Sequence, residues 1–115
     1  MLREKIFVVL GKTDMRKGID GLAAVAAQFL EGELFDKNSM FLFCGTKKDR
    51  YKILCWEKDG FSLTYKRLEN GKLKWPKEGE ENICQLTHQQ YRWLTEGLFI
   101  NQPKSIKEAK AGHLF

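Results

Sequence analysis

The tripeptide Gly11-Lys12-Thr13 lies between an apolar run and a helical pattern, the setting in which a phosphate-binding loop occurs. A Walker loop also needs a glycine five residues before its second glycine, so that backbone amides can curl round phosphate, and Ile6 occupies that position. A metal nuclease gathers its acids round one cation, whereas Asp14, Asp20, Asp49 and Asp59 fall at a helix start, inside a helix and in two separate loops. His88 has no Cys, His or acid at metal-site spacing, and no serine or cysteine has a base placed by spacing to activate it. Cys44, Cys55 and Cys84 are odd in number and lack a CxxC pattern, which suits reduced cysteines serving as small hydrophobes. These residues predict no enzyme, no metal and no cofactor.

The basic residues give a stronger signal. The net charge is +5, and the excess concentrates on Lys47, Lys48, Arg50, Lys52, Lys58, Lys66, Arg67, Lys72 and Lys74, a bias that favours polyanionic partners. Lys47, Lys48 and Arg50 would grip phosphates from a loop, and Lys52, Lys66, Arg67, Lys72 and Lys74 would extend the track. Trp75 or Tyr51 would then stack on an unpaired base. The competing reading makes these lysines a solvated face and the aromatics core, and it is preferred for Trp56 and Tyr65. Arg16 and Lys17 stand near a helix start, where cations are unfavourable, so with Thr13 and Asp14 they form a candidate partner-binding surface.

Residues 39–76 are the element that must position the basic side chains, and they read as consecutive antiparallel strands. Asp59-Gly60 and Asn70-Gly71 tolerate the positive φ of type I′ turns and predict two hairpins. The first would set Trp56 opposite Leu63 and Leu54 opposite Tyr65, with Phe61 on the same face and Ser62, Thr64 and Lys66 on the other. The second would pair Glu69 with Lys72 and Leu68 with Leu73, bringing Lys74 beside Arg67 and Trp75 near Lys66. Ile6 to Leu10 suits a buried strand joining the same sheet.

Two helices follow from periodicity and capping. Thr13 or Asp14 caps a helix whose stripe is Met15, Ile19, Leu22, Ala23, Ala26, Phe29 and Leu30, although Gly18 and Gly21 allow a start after Gly18 instead. Thr87 and Gln90 form a capping box, with Leu86 and Tyr91 as its staple, for a second helix running to about Glu96 and ending at Gly97. Lys77 to Asn82 reads as a loop. The fold class is therefore α+β, an antiparallel meander of about five strands with two helices packed on one face. With 115 residues there is room for one domain, assigned to 1–100, and residues 101–115 read as a flexible basic tail. No membrane span or signal peptide is visible, so a cytoplasmic location without membrane or small-molecule partners is expected.

Several blocks resemble a known family. Thr13-Asp14-Met15-Arg16-Lys17-Gly18-Ile19-Asp20-Gly21-Leu22, Asp49 to Trp56, Asp59-Gly60-Phe61, Tyr65 to Gly71, Trp75-Pro76, Leu86-Thr87 and Leu94 to Leu98 are similar, in that order, to the TnpB-type accessory proteins of bacterial IS66-group insertion sequences. The resemblance implies a non-catalytic accessory role in transposition beside a separate transposase that carries the acidic catalytic residues. It also implies element DNA, the transposase and the element's other protein as partners. Direct DNA binding through the basic hairpins is the first expectation, and an adaptor docking on the transposase or another element-encoded protein, through Thr13 to Asp20 or the C-terminal helix and tail, is the second. Lys47 and Lys48 stand where family members often carry arginine, which weakens bidentate phosphate contacts.

Overall fold

The computed structural model describes residues 2–102, so the tail expectation for 101–115 lies almost wholly outside the described residues. Its five strands are β1 (Lys5–Val9), β2 (Ser39–Phe43), β3 (Arg50–Glu57), β4 (Gly60–Arg67) and β5 (Ile83–Leu86), and its helices are α1 (Ile19–Leu30) and α2 (His88–Thr95). They form one mixed sheet in the order β4-β3-β2-β1-β5. β1 and β2 are parallel and joined through α1, while the other neighbours are antiparallel. The α+β class holds, but the sheet is not strictly a meander.

The central strands are apolar on both faces, which decides the layering. Ile6 and Val8 of β1 cluster with Met40, Leu42 and Leu94, whereas Phe7 and Val9 cluster with Phe41, Phe43, Leu22 and Ala26. Successive side chains of a strand point to opposite faces, so α1 and α2 cover opposite sides of the sheet. The expectation of two helices on one face is corrected by this: a strand pair with two apolar faces needs cover on both.

Between β4 and β5 the chain does not form the expected second hairpin. Gly71 does adopt φ +82°, but the Leu68 and Leu73 amides donate to Asp49 and Lys48 carbonyls instead of to each other. Leu73 and Trp75 are thereby laid over the α2 side of the sheet as core residues, and the Trp75 indole N–H donates to the Val9 carbonyl at 2.9 Å. The fifth strand is Ile83–Leu86, paired with β1.

The capping box of α2 is present, with the Gln90 amide donating to the Thr87 hydroxyl at 3.0 Å and the Gln90 side chain accepting from the Thr87 amide at 2.9 Å. At its other end Gly97, at φ +85°, closes a Schellman turn: the Leu98 amide donates to Trp93 and the Gly97 amide to Leu94. Helix α1 starts after Gly18, which caps it without a side-chain hydrogen bond. No helix among the described residues is long and apolar enough to cross a membrane.

Candidate polyanion-binding groove

The segment between β1 and α1 folds as a tight turn pinned to the end of the sheet. The Asp14 carboxylate accepts from the Arg16 amide at 3.0 Å, and from the Arg16 guanidinium at 3.0 and 2.9 Å. Arg16 holds the Asp14 carboxyl well below the ordinary carboxylate range, so the pair stays ionised. The Thr13 amide donates to the Cys44 carbonyl at 2.7 Å. Gly45 leaves room for this docking, because a Cβ there would lie 2.6 Å from Met15 Cγ and 3.2 Å from the Thr13 carbonyl oxygen and would force Met15 to shift. From β3, the Lys52 ammonium donates to the Met15 and Lys17 carbonyls at 2.8 and 3.1 Å. These bonds tie the turn to the sheet while leaving the charge of Lys52 in place.

Leu54 belongs to the cluster on the α1 side, so Arg50 and Lys52 on the same strand face that side too. β4 repeats the parity, and its pairing sets Tyr65 opposite Lys52 and Arg67 opposite Arg50. Like charges directly opposite in a ladder are destabilising. Each arginine is offset by a neighbour, Arg50 by Asp49 at 2.8 Å and Arg67 by Glu69 at 2.9 Å. Hydrogen bonding and charge hold Asp49 below and Arg50 above their ordinary ranges, and the Tyr65 hydroxyl adds to the shift of Arg50.

Together the turn, the β2–β3 connection and the strand ends line a cavity of about 890 Å³. Among the described residues five cations line it, Lys12, Arg16, Lys47, Arg50 and Lys52, with Asp14 as the only lining acid. Among the described residues neither Lys12 nor Lys47 is ion-paired. Five cations less the paired carboxylates Asp14 and Asp49 leave an excess of three positive charges. Met15, Leu63 and Tyr65 supply the apolar wall, and Tyr65 is 51% exposed with its ring centroid 5.9 Å from the Lys52 ammonium.

This grouping differs from the cationic strip expected from the hairpins. Lys47, Arg50 and Lys52 come together, and they are joined by Thr13, Asp14 and Arg16, which the sequence suggested as a separate partner surface. Lys17 contributes its carbonyl to the Lys52 contact. Lys66 pairs with Tyr51 on the opposite face, and Lys72 and Lys74 flank buried Leu73 on that same α2 side. Lys74 lies 5.7 Å from the Phe99 ring, and Lys48 donates to the Gly45 carbonyl at 2.9 Å. Trp75 and Tyr51 are 7% and 5% exposed, so neither presents a ring for stacking. Sequence reasoning missed Lys12, set aside with the failed Walker pattern, and Tyr65, assigned to the core.

At the far end of the same face is an aromatic group. Phe35, 59% exposed, packs on Trp56 and Phe61 with centroids 5.1 and 5.5 Å away. Among the described residues no three His, Cys, Asp or Glu side chains gather into a metal-binding group.

Comparison with known proteins adds the family. The model of the family described as IS66 Orf2 like protein matches residues 4–105. Two curated relatives come from Sinorhizobium fredii (strain NBRC 101917 / NGR234). Uncharacterized protein y4hO is 28% identical over 100 residues, covering 87% of this chain and 85% of that one. Uncharacterized protein y4jC is 27% identical over 94 residues, covering 82% and 79% respectively. No solved structure matches the chain.

Proposed function

This chain belongs to the family of IS66 Orf2-like proteins, and from that premise we propose that it acts in transposition as a non-catalytic DNA-binding accessory factor. The family assignment supplies the accessory role. The observation that supports DNA contact is the excess of three positive charges gathered in one groove. Phosphate contact is chiefly electrostatic and draws on such a concentration of charge. Lys12, Lys47 and Arg16 meet phosphate at the rim, and Arg50 and Lys52 hold the potential of the floor. The remaining hairpin cations, Lys66, Arg67, Lys72 and Lys74, have a lesser part, because none of them lines the groove. The test is fluorescence anisotropy of labelled DNA bearing the insertion sequence's ends, titrated with the full chain over a range of salt. Binding that weakens steadily with salt is expected; absence of binding at the lowest salt overturns the reading.

A second reading, an adaptor docking on the transposase or another element-encoded protein, is favoured by the exposed Phe35 beside Trp56 and Phe61. Exposed aromatics of this kind anchor protein interfaces. Co-purification of the element's products separates the two readings: loss of transposase association in Phe35→Ser with DNA binding intact supports the adaptor.

A further inference from the structure

We infer that the groove takes unpaired nucleotides in preference to duplex DNA, with Tyr65 as the stacking platform; this rests on the DNA-binding reading above and names the ligand class of the same groove. Duplex sequence is read by a convex element, a helix or a two-stranded ribbon, that enters the major groove. Here the cations line a concavity instead. Its volume of about 890 Å³ is in the range that encloses small organic ligands, a size that suits a splayed base on a single strand.

The chemistry of the wall fits that occupant. Half-exposed Tyr65 stands on an edge strand opposite Lys52 in register, with Arg50 diagonal to it. Leu63 and Met15 supply apolar contact beside it. An aromatic face flanked by backbone-tracking cations is the arrangement that binds single strands with little sequence preference, because every base has a π-face. The fold itself does not need this ring exposed. Its neighbours on the same face, Phe61 and Leu63, are both more buried and pack against the α1-side core, and the Tyr65 hydroxyl gives the ring a wet edge.

The test uses the full chain with labelled oligothymidylate and its blunt duplex with oligodeoxyadenylate. Tighter binding to the single strand is expected. Tyr65→Ala should weaken it by at least about fivefold, the low end for one lost base stack, with the salt slope unchanged because no charge is removed. Tyr65→Trp should restore binding. Tyr65→Leu keeps apolar bulk without a ring and should behave as Tyr65→Ala, which separates stacking from packing. Equal or tighter duplex binding, or single-strand affinity unmoved in both Tyr65→Ala and Tyr65→Leu, overturns the inference while leaving a DNA-binding groove. Failure of either DNA to bind at low salt overturns the groove reading as well.

Discussion

Lys47→Gln removes one of the three groove lysines, Lys12, Lys47 and Lys52, that have no ion-pair partner among the described residues. It lies in the connection between β2 and β3 and is exposed, so the substitution should leave stability within about 0.5 kcal/mol of wild type. On a single strand, log K falls with log salt at a slope of roughly −0.7 per neutralised phosphate. An excess of three charges therefore predicts a slope of about −2, and losing one charge should reduce it to about −1.4. At roughly 0.1 M salt each contact contributes about 0.7 of a decade, so affinity should drop about fivefold. Lys12→Gln should do the same, and the double variant should lose about 25-fold, since the two terms add when the charges act independently. Anisotropy titrations at several salt concentrations measure slope and affinity together. An unchanged slope in the double variant would refute the assignment of phosphate contacts to this groove, and an equal effect from Lys66→Gln would show that charge anywhere on the molecule suffices.

The packing yields three further expectations. Trp75→Phe leaves the buried Val9 carbonyl without its indole donor and should cost about 1–3 kcal/mol in urea unfolding; an unchanged midpoint would mean that the ring is not seated there. Gly45→Ala drives a methyl into Met15 and the Thr13 carbonyl. It should cost about 1–3 kcal/mol, part of it recovered in a Met15→Ala background, and it should weaken DNA binding by displacing the turn. Asp14, Asp36 and Asp49 all titrate below the ordinary value of 3.8, through Arg16, Lys5 and Arg50 respectively. Depressed carboxylates stabilise the fold above the unfolded value and lose that effect as the pH falls through the folded one. The urea midpoint should therefore be level near neutrality and decline below about pH 4. The decline should be shallow, because these pairs are partly exposed and screened by water and salt.

Local signals in the sequence carried the strands and the second helix, while non-local pairing decided what the loops do. The apolar runs at Ile6 to Val9 and Met40 to Phe43, and the Thr87/Gln90 box, specify their elements unaided. The β3–β4 loop closes at Lys58-Asp59, with Glu57 paired to Gly60, one step earlier than the Asp59-Gly60 turn. That changes each cross-strand partner by two residues and so keeps every side chain on its expected face. Trp56 lies opposite Phe61, where both pack with Phe35, and Ser62 donates to Glu57 at 2.8 Å. These contacts favour the observed register over the turn dipeptide. Asn70-Gly71 does turn the chain, but the need to cover the α2 side with Leu73 and Trp75 overrides a hairpin. β5 has only four residues and exists through pairing with β1, some 75 residues away. The groove shows the same limit: Thr13 to Lys17 and Lys47 to Lys52 were each visible as suspects, but only the parallel β1–β2 connection brings them together, and only register places Tyr65 across from Lys52.

If DNA enters the groove between the Thr13–Gly18 turn and the β2–β3 connection, amide chemical-shift mapping of isotope-labelled protein titrated with a short oligonucleotide will locate it there. Perturbations should concentrate at Lys12 to Gly18, Gly45 to Lys52 and Leu63 to Lys66, saturating together and reversing with salt. Shifts centred on Lys72, Lys74 and α2, or on Phe35 and Trp56 with the groove silent, would contradict it.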